Sequence, residues 1–350
     1  MSEPTNPGRR RFLGTATTAF TAASLGLLPS ARAQSSGATP ASTKPAKGKS
    51  HTSFASLKQI DAGLLNVGYA DVGPTDGPPV LLLHGWPYDI HSYVEVAPML
   101  AAAGYRVIVP FVRGYGSTRF LSSDTVRNAQ QSVVALDMIE LLNALKIQKA
   151  IIGGFDWGAR TTNILTALWP ERCVGSVAVS GYLITNVEAN RQPLPPAAEY
   201  GWWYQYYFAT DRGQLGYDKN RHDFNKLIWQ IMSPKWKFDD ATYDRTAAAF
   251  DNPDHVAIAI HNYRWRLGLA KGEPKYDELE QKLFARPTIA VPTITIASDF
   301  DGPLADGKAY ASMFSRRISH RILKGIGHNV PQEAPKAFAQ AVIDVAHAST

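Results

Sequence analysis

A single cysteine, Cys173, stands in 350 residues, so no internal disulfide can form and a disulfide-stapled scaffold is excluded. No run approaches about 18 uninterrupted, strongly apolar residues, which excludes a multi-pass membrane protein. No segment repeats. Charge is sparse, 19% of residues, with 36 Lys and Arg against 30 Asp and Glu. Part of the resulting +6 is concentrated in residues 1–33, which hold Arg9, Arg10, Arg11 and Arg32 against Glu3. Without that segment the chain is near +3, so nucleic-acid binding has little compositional support. What the chain has instead is apolar matter, 45% hydrophobic and 11% aromatic, too much for a disordered polymer. That length suits one large domain, or a domain with an insertion, burying roughly three quarters of its unfolded surface.

The N-terminus reads as an address. Gly8-Arg9-Arg10-Arg11-Phe12-Leu13-Gly14 is a twin-arginine run followed by Phe-Leu, and a weakly apolar Ala/Thr-rich stretch leads to Pro29 and Ala31-Arg32-Ala33. These are the n-region, h-region and small-residue cleavage site of a secretory signal. Residues 1–33 are expected to be a twin-arginine signal peptide, making the protein periplasmic or secreted, with the export machinery as a partner during translocation. The twin-arginine route carries folded proteins, and a chain with one cysteine has no need to oxidise after export. Residues 34–52 are Ser, Thr, Ala, Pro, Gly and Lys without apolar periodicity, the composition of a disordered linker.

From residue 53 short apolar runs bounded by turns alternate with helical patterns, which predicts a mostly parallel sheet covered by helices, an α/β fold. Strands are expected at residues 64–70 (an edge strand), 79–83, 105–110, 150–154 and 174–179. Helices are expected at residues 129–147 and 157–169. Residues 183–286 change rhythm, with Pro-rich stretches, aromatics and helical patterns but no buried strand. The strand signal returns at Val291-Pro292-Thr293-Ile294-Thr295-Ile296-Ala297 and His320-Arg321-Ile322-Leu323, and a helix is expected at 335–346. The predicted organisation is one core in two parts, residues 53–182 and 287–346, split by a helical cap at 183–286. Such an insertion lies over the carboxyl ends of the strands, where open α/β sheets bind ligands.

Gly154-Phe155-Asp156-Trp157-Gly158 falls between a buried strand and a helix. A tight strand-to-helix turn needs glycines beside its central residue, whose side chain is then pushed out above the sheet at a helix N-terminus. With Asp in the centre the projected group is a carboxylate nucleophile. His84-Gly85-Trp86-Pro87 ends an earlier strand, where the Trp86 amide, with that of Trp157, is placed to form an oxyanion hole. Of nine histidines, His328 in Gly325-Ile326-Gly327-His328-Asn329-Val330-Pro331 has the setting of a general base, on a loop between the last strand and the last helix. The acid that orients it is expected after the strand at 293–297, where Asp299 and Asp301 compete.

At these residues the chain, from about 53 to 346, resembles the α/β-hydrolases and in particular the epoxide hydrolases. His84-Gly85-Trp86-Pro87, the elbow Gly154-Phe155-Asp156-Trp157-Gly158-Ala159-Arg160 and Gly327-His328-Asn329-Val330-Pro331-Gln332-Glu333 carry the likeness. Tyr204-Gln205-Tyr206-Tyr207-Phe208 and Asn262-Tyr263-Arg264-Trp265 are similar to the two places where that family carries lid tyrosines. The resemblance implies Tyr204 and Tyr263 as donors to the epoxide oxygen, with Tyr206 and Tyr207 as neighbours open to confusion with Tyr204. The family's Gly-x-x-Asp loop implies Asp301 as the acid. Ser298 stands where its Gly would be, so Asp299 stays an alternative, and Phe155 replaces the His common before the nucleophile.

The implied activity is hydrolysis of an epoxide to a vicinal diol through an alkyl ester on Asp156, with no metal and no organic cofactor. The implied partners are a small apolar or aromatic epoxide and water. Two other readings fit the same residues. A haloalkane or haloacid dehalogenase would use the same Asp but needs halide donors, typically indole N–H groups, which Trp157 can supply. A non-catalytic, hydrolase-like binding protein would leave the nucleophile, base and acid without a use.

Overall fold

The computed structural model describes residues 53–349. The first part of the core runs β1 (Lys58–Ala62), β2 (Leu65–Val72), β3 (Pro79–Leu83), α1 (Val96–Ala102), β4 (Arg106–Pro110) and the two-residue β5 (Arg119–Phe120). It continues through α2 (Gln131–Ala144), β6 (Ala150–Gly154), α3 (Trp157–Leu168) and β7 (Cys173–Val179). Six helices then follow without a strand: α4 (Pro196–Gly201), α5 (Trp203–Ala209), α6 (Asp211–Met232), α7 (Asp240–Ala247), α8 (His255–Arg266) and α9 (Asp277–Phe284). The chain returns to the sheet with β8 (Thr293–Ser298) and β9 (Arg317–Leu323), and closes with α10 (Val330–Glu333) and α11 (Pro335–His347).

The sheet order is β1-β2-β4-β3-β6-β7-β8-β9, with β5 paired to β2. From β4 to β9 every neighbour is parallel; the β1–β2, β2–β4 and β2–β5 pairs are antiparallel. A parallel strand must be covered on both faces, and β3 shows how one short sequence serves two cores. Val80 and Leu82 point to the side filled by Val96 and Leu100 of α1 and Phe338 and Val342 of α11. Leu81 and Leu83 point to the other, with Met138 and Leu141 of α2 and Ile164 and Leu165 of α3.

The expected edge strand at 64–70 is β2, one place in from the edge. Its neighbour β1 escaped notice because Lys-Gln-Ile-Asp-Ala buries only its last residue and so lacks an apolar pattern. At the opposite edge β9 starts at Arg317, three residues before its apolar signal, because no residue of this strand is fully buried. The helix expected at 129–147 spans Gln131–Ala144, and Lys146 turns the chain at φ +57° before β6.

Parallel strands put their carboxyl ends on one edge of the sheet. The loops carrying Trp86, Asp156, Asp301 and His328 therefore converge there, and α6 is bonded onto the same edge. Trp229 Nε1 of α6 donates to the Pro87 carbonyl at 2.8 Å, and Ser233, which follows α6, accepts from the His328 amide at 2.9 Å.

The turn from β6 to α3 brings backbone into unusually close contact. A Cβ on Gly158 would lie 1.8 Å from the Leu83 carbonyl oxygen, and one on Gly154 would lie 2.4 Å from the Gly158 carbonyl. Both obstacles are backbone, which cannot swing aside as a side chain can. Gly158→Ala is therefore expected to cost at least the roughly 1–3 kcal/mol of overpacked core sites. Gly201→Ala, where nothing lies within 4 Å, should stay within about 0.5 kcal/mol of wild type. Urea unfolding of the two variants checks the contrast.

Candidate active site

Asp156 sits at the apex of that turn with φ +54° and ψ −126°, a left-handed conformation that costs a side-chain-bearing residue of order 1–3 kcal/mol. The reason it is tolerated is visible around it. The Trp86 amide donates to Asp156 Oδ1 at 2.7 Å, and the Trp157 amide at the start of α3 also faces the carboxylate. Gly85 makes this approach feasible, since a Cβ there would come within 2.2 Å of Asp156 Oδ1 and 2.5 Å of the Trp157 nitrogen. Burial alone would raise the Asp156 carboxyl, but His328 and the Trp157 and Trp86 amides outweigh it and hold the group below its ordinary value. It is an ionised carboxylate that lines a cleft, its side chain 20% exposed.

His328 Nε2 lies 3.5 Å from Asp156 Oδ2. The imidazole stacks on Tyr88 (centroids 5.4 Å apart) and meets Phe300 edge-on at 4.3 Å. Its loop is tied down by Glu333, which accepts from the Gly327 and Asn329 amides and from the Ser233 hydroxyl. Gly327 is required here because a Cβ would press on Ser233 at 2.5 Å. Glu333 belongs to the motif already singled out, but its role as the clasp of the base loop is readable only from the folded chain.

The two acid candidates have different surroundings. Asp299 lies outward, bound to Lys235 Nζ at 2.7 Å and to the Gly325 amide at 3.1 Å. Asp301 turns inward, accepts from the Ser298 amide at 2.7 Å, and has Ser180 and His328 beside it. Burial raises the Asp301 carboxyl, while Ser180, Ser298 and His328 act against that rise. His328 Nδ1 is buried and makes no hydrogen bond, so the structure does not join Asp301 and His328 directly. It leaves the donor that an orienting acid would accept from.

The aromatic segment sorts its tyrosines by direction. Tyr204 lines a cleft with Trp86, Asp156, Met232, Phe300 and His328. Tyr206 is 45% exposed, and Tyr207 stacks on Phe224 of α6 at 5.8 Å, so neither reaches the cleft. Tyr263 of α8 packs edge-on to Tyr204 at 5.4 Å and lies against Trp157 at 5.9 Å. Burial and the Asp156 charge push the Tyr204 phenol up; burial, Tyr204 and Asp156 do the same to Tyr263. Both are therefore neutral O–H donors near a carboxylate. Trp157 Nε1 is buried beside them and faces the Tyr263 hydroxyl without a well-formed hydrogen bond.

Three buried groups around the site were not singled out by the sequence patterns. Arg160, one turn into α3, is 5% exposed yet has no carboxylate partner; its one side-chain hydrogen bond is to Asn262 at 3.4 Å. Burial, and then the neighbouring Arg266 charge, push its guanidinium down to about 10. Tyr217 and His255 form the other pair, behind Trp86. The elbow motif contained Arg160, and its place at i+4 from Asp156 was the available signal; Tyr217 and His255 had none. Among the described residues no cluster of three or more His, Cys, Asp or Glu side chains could hold a metal ion. The arrangement brings together an ionised carboxylate, two backbone amides that face it, a histidine and two neutral phenols.

Comparison with known proteins places this geometry. A family profile for the alpha/beta hydrolase fold matches residues 78–216. A crystal structure from Klebsiella pneumoniae, described as a candidate epoxide hydrolase, is 56% identical, covers 86% of this chain and all of its own, and superposes with a TM-score of 0.83. A haloalkane dehalogenase from Psychrobacter cryohalolentis is 37% identical over 81% of this chain and 88% of its own. Epoxide hydrolase B from Mycobacterium tuberculosis is 33% identical over 39% of this chain, which spans about two fifths (41%) of that relative. With likeness extending over most of the chain and a strand order that delivers the carboxylate, histidine and amides to one edge, the chain belongs to the α/β-hydrolase family.

Proposed function

We propose that the protein hydrolyses epoxides to vicinal diols. The observation that carries this reading is the placement of two neutral phenols, Tyr204 and Tyr263, beside the Asp156 carboxylate. Asp156 attacks an epoxide carbon from the side opposite the breaking C–O bond. The Tyr204 and Tyr263 hydroxyls donate to the oxygen as it becomes an alkoxide, and a phenol raised above its usual value keeps its proton for that purpose. An alkyl ester of Asp156 results. His328, oriented by Asp301, takes a proton from water, the water attacks the ester carbonyl, and the Trp86 and Trp157 amides stabilise the tetrahedral oxyanion; its collapse breaks the ester C–O bond, the proton passes from His328 to the departing diol, and Asp156 is restored as a carboxylate. A serine in place of Asp156 would give an ether that water does not readily cleave.

The substrate follows from the cleft. Apart from Asp156 and His328, the residues that line it are aromatic or aliphatic, among them Trp86, Tyr204, Met232 and Phe300. A small apolar or aromatic epoxide fits that description. The relatives named epoxide hydrolase, together with the Klebsiella structure, support the same reading.

The second reading is dehalogenation, favoured by one observation: Trp157 Nε1 is a buried donor that faces the Tyr263 hydroxyl without a well-formed hydrogen bond. A leaving halide would satisfy it, and the Psychrobacter relative carries that activity in its name. Against this, the Trp86 indole N–H is already bonded to Tyr217 at 2.8 Å, so a second indole donor is not on offer. We also propose export by the twin-arginine route, on the Arg9-Arg10-Arg11-Phe12-Leu13 run; protein taken from the native host should begin at Gln34, and one beginning at Met1 would refute it.

The two-step mechanism has a mass signature. In His328→Gln the ester should form but not hydrolyse, so the protein should gain one substrate mass on incubation with epoxide. Normal turnover without an adduct would sink the assignment. Asp301→Asn should impair turnover strongly and Asp299→Asn weakly, since only Asp301 lies beside His328.

The phenols can be tested separately. Removing a sole oxyanion donor costs about 10²–10³ in rate. With two donors on one oxygen, Tyr204→Phe and Tyr263→Phe should each slow alkylation less than that and spare ester hydrolysis. The double variant should lose more than the two single effects combined. Rapid-quench measurement of ester formation and decay reads both steps. If the phenols prove indifferent while Trp157→Phe abolishes halide release from an alkyl halide, the protein is a dehalogenase.

A further inference from the structure

Behind the cleft a second set of polar groups is completely buried and plays no part in the steps above. Trp86 Nε1 lies 2.8 Å from Tyr217 Oη of α6, Tyr217 Oη lies 2.8 Å from His255 Nε2 of α8, and His255 Nδ1 lies 3.0 Å from the Gly114 carbonyl. Trp86, Tyr217 and His255 are each at most 2% exposed. The protons in this chain have one consistent arrangement. An indole nitrogen only donates and a carbonyl only accepts. His255 Nδ1 therefore carries a hydrogen toward Gly114, and its Nε2 accepts from the Tyr217 hydroxyl. That hydroxyl in turn accepts from Trp86. Burial pushes the His255 imidazole down to about 3, which keeps it in the neutral form this direction requires.

The far end of the chain is fixed. Gly114 follows Arg113, whose guanidinium grips Asp137 of α2 with two bonds of 2.6 Å. The near end controls the site. Trp86 donates its amide to Asp156, and its indole touches both lid phenols, with centroids 5.0 Å from Tyr204 and 5.1 Å from Tyr263. One side chain thus borders the nucleophile and both donors. Its swivel about the Cα–Cβ bond is stopped by the bond to Tyr217.

We propose that Tyr217 and His255 are positioning residues for the chemical step, holding the Trp86 indole at the angle that sets Tyr204 and Tyr263 against the substrate. The inference rests on the epoxide-hydrolase reading for the identity of the substrate, but not for the existence of the chain. Tyr217→Phe removes both links at once. His255→Leu removes the acceptor that orients the hydroxyl, and His255→Gln restores an acceptor for Tyr217 and a donor for Gly114.

The experiment measures alkylation of Asp156 and hydrolysis of the ester by rapid quench, KM for the same substrate, the urea midpoint, and the indole N–H proton resonance of Trp86. Tyr217→Phe and His255→Leu should each slow alkylation by about 10-fold, less than the ~10² that a 1 Å misplacement can cost, with KM nearly unchanged. His255→Gln should recover most of the rate. The Trp86 resonance should move upfield in Tyr217→Phe, as expected for a lost hydrogen bond. An unmoved resonance, or His255→Gln as slow as His255→Leu at equal urea midpoint, would overturn the proposal. So would alkylation at the wild-type rate in both His255→Leu and Tyr217→Phe. If wild type alkylates with alkyl halides and not with epoxides, the functional reading fails, and the same rates on the halide still decide the positioning role.

Discussion

Everything at this site depends on three backbone segments coming closer together than side chains permit. The end of β3, the apex of the β6–α3 turn and the start of α3 meet at Gly85, Gly154 and Gly158, each of which has backbone in the space a Cβ would occupy. The contact forces Asp156 into a left-handed conformation and presents its carboxylate to the Trp86 and Trp157 amides. Strain and stabilisation are coupled here. Those amides help offset the cost of the conformation, and the same bonds help hold the buried carboxyl ionised.

The second organising element is α6, which is joined to the core at three points. Tyr217 reaches Trp86, Trp229 reaches the Pro87 carbonyl, and Ser233, just after the helix, reaches the His328 loop. A helix of the segment between β7 and β8 thus touches both the loop beside the nucleophile and the loop of the proposed base. The aromatic packing makes the same connection through apolar area: Trp86 contacts Tyr204, Phe208, Tyr217, Phe224 and Tyr263. Such contacts add roughly 0.5–1.5 kcal/mol per pair beyond area burial, and they leave the ring little freedom.

Charge around the site is asymmetric. Asp156 is the carboxylate of the cleft, while Arg160 and Arg266 stand near Tyr263 without an ion-pair partner. An unpaired guanidinium at 5% exposure is costly. Its field favours the anionic form of Asp156, and the Arg266 charge acts against the rise that burial imposes on the Tyr204 and Tyr263 phenols. The proposed reaction moves negative charge from Asp156 to an oxygen held between phenols, so a fixed positive charge behind them works in the right direction.

The sheet was legible in the sequence because buried parallel strands are apolar runs. Val80-Leu81-Leu82-Leu83 and Ile151-Ile152-Gly153-Gly154 announce themselves, as do the turns that end them. Lys58–Ala62 did not, because an edge strand needs few apolar residues. The elbow and its Asp were legible for a local reason: the glycine spacing is a steric requirement written within five residues. Selection among neighbours was not local. Asp301 differs from Asp299, and Tyr204 from Tyr206 and Tyr207, only in the side of a short helix or turn that faces inward, and packing against the sheet edge and α6 decides that. The Trp86–Tyr217–His255 chain lay beyond sequence reading altogether. Its members are separated by 131 and 38 positions, and hydrogen bonds between such distant residues follow no spacing rule. The sequence alone determined the buried parallel strands and which carboxylate they project, because those depend on apolar runs and on missing Cβ atoms. Only the tertiary structure decided which groups surround that carboxylate, because that depends on how separate helices come to lie over one edge.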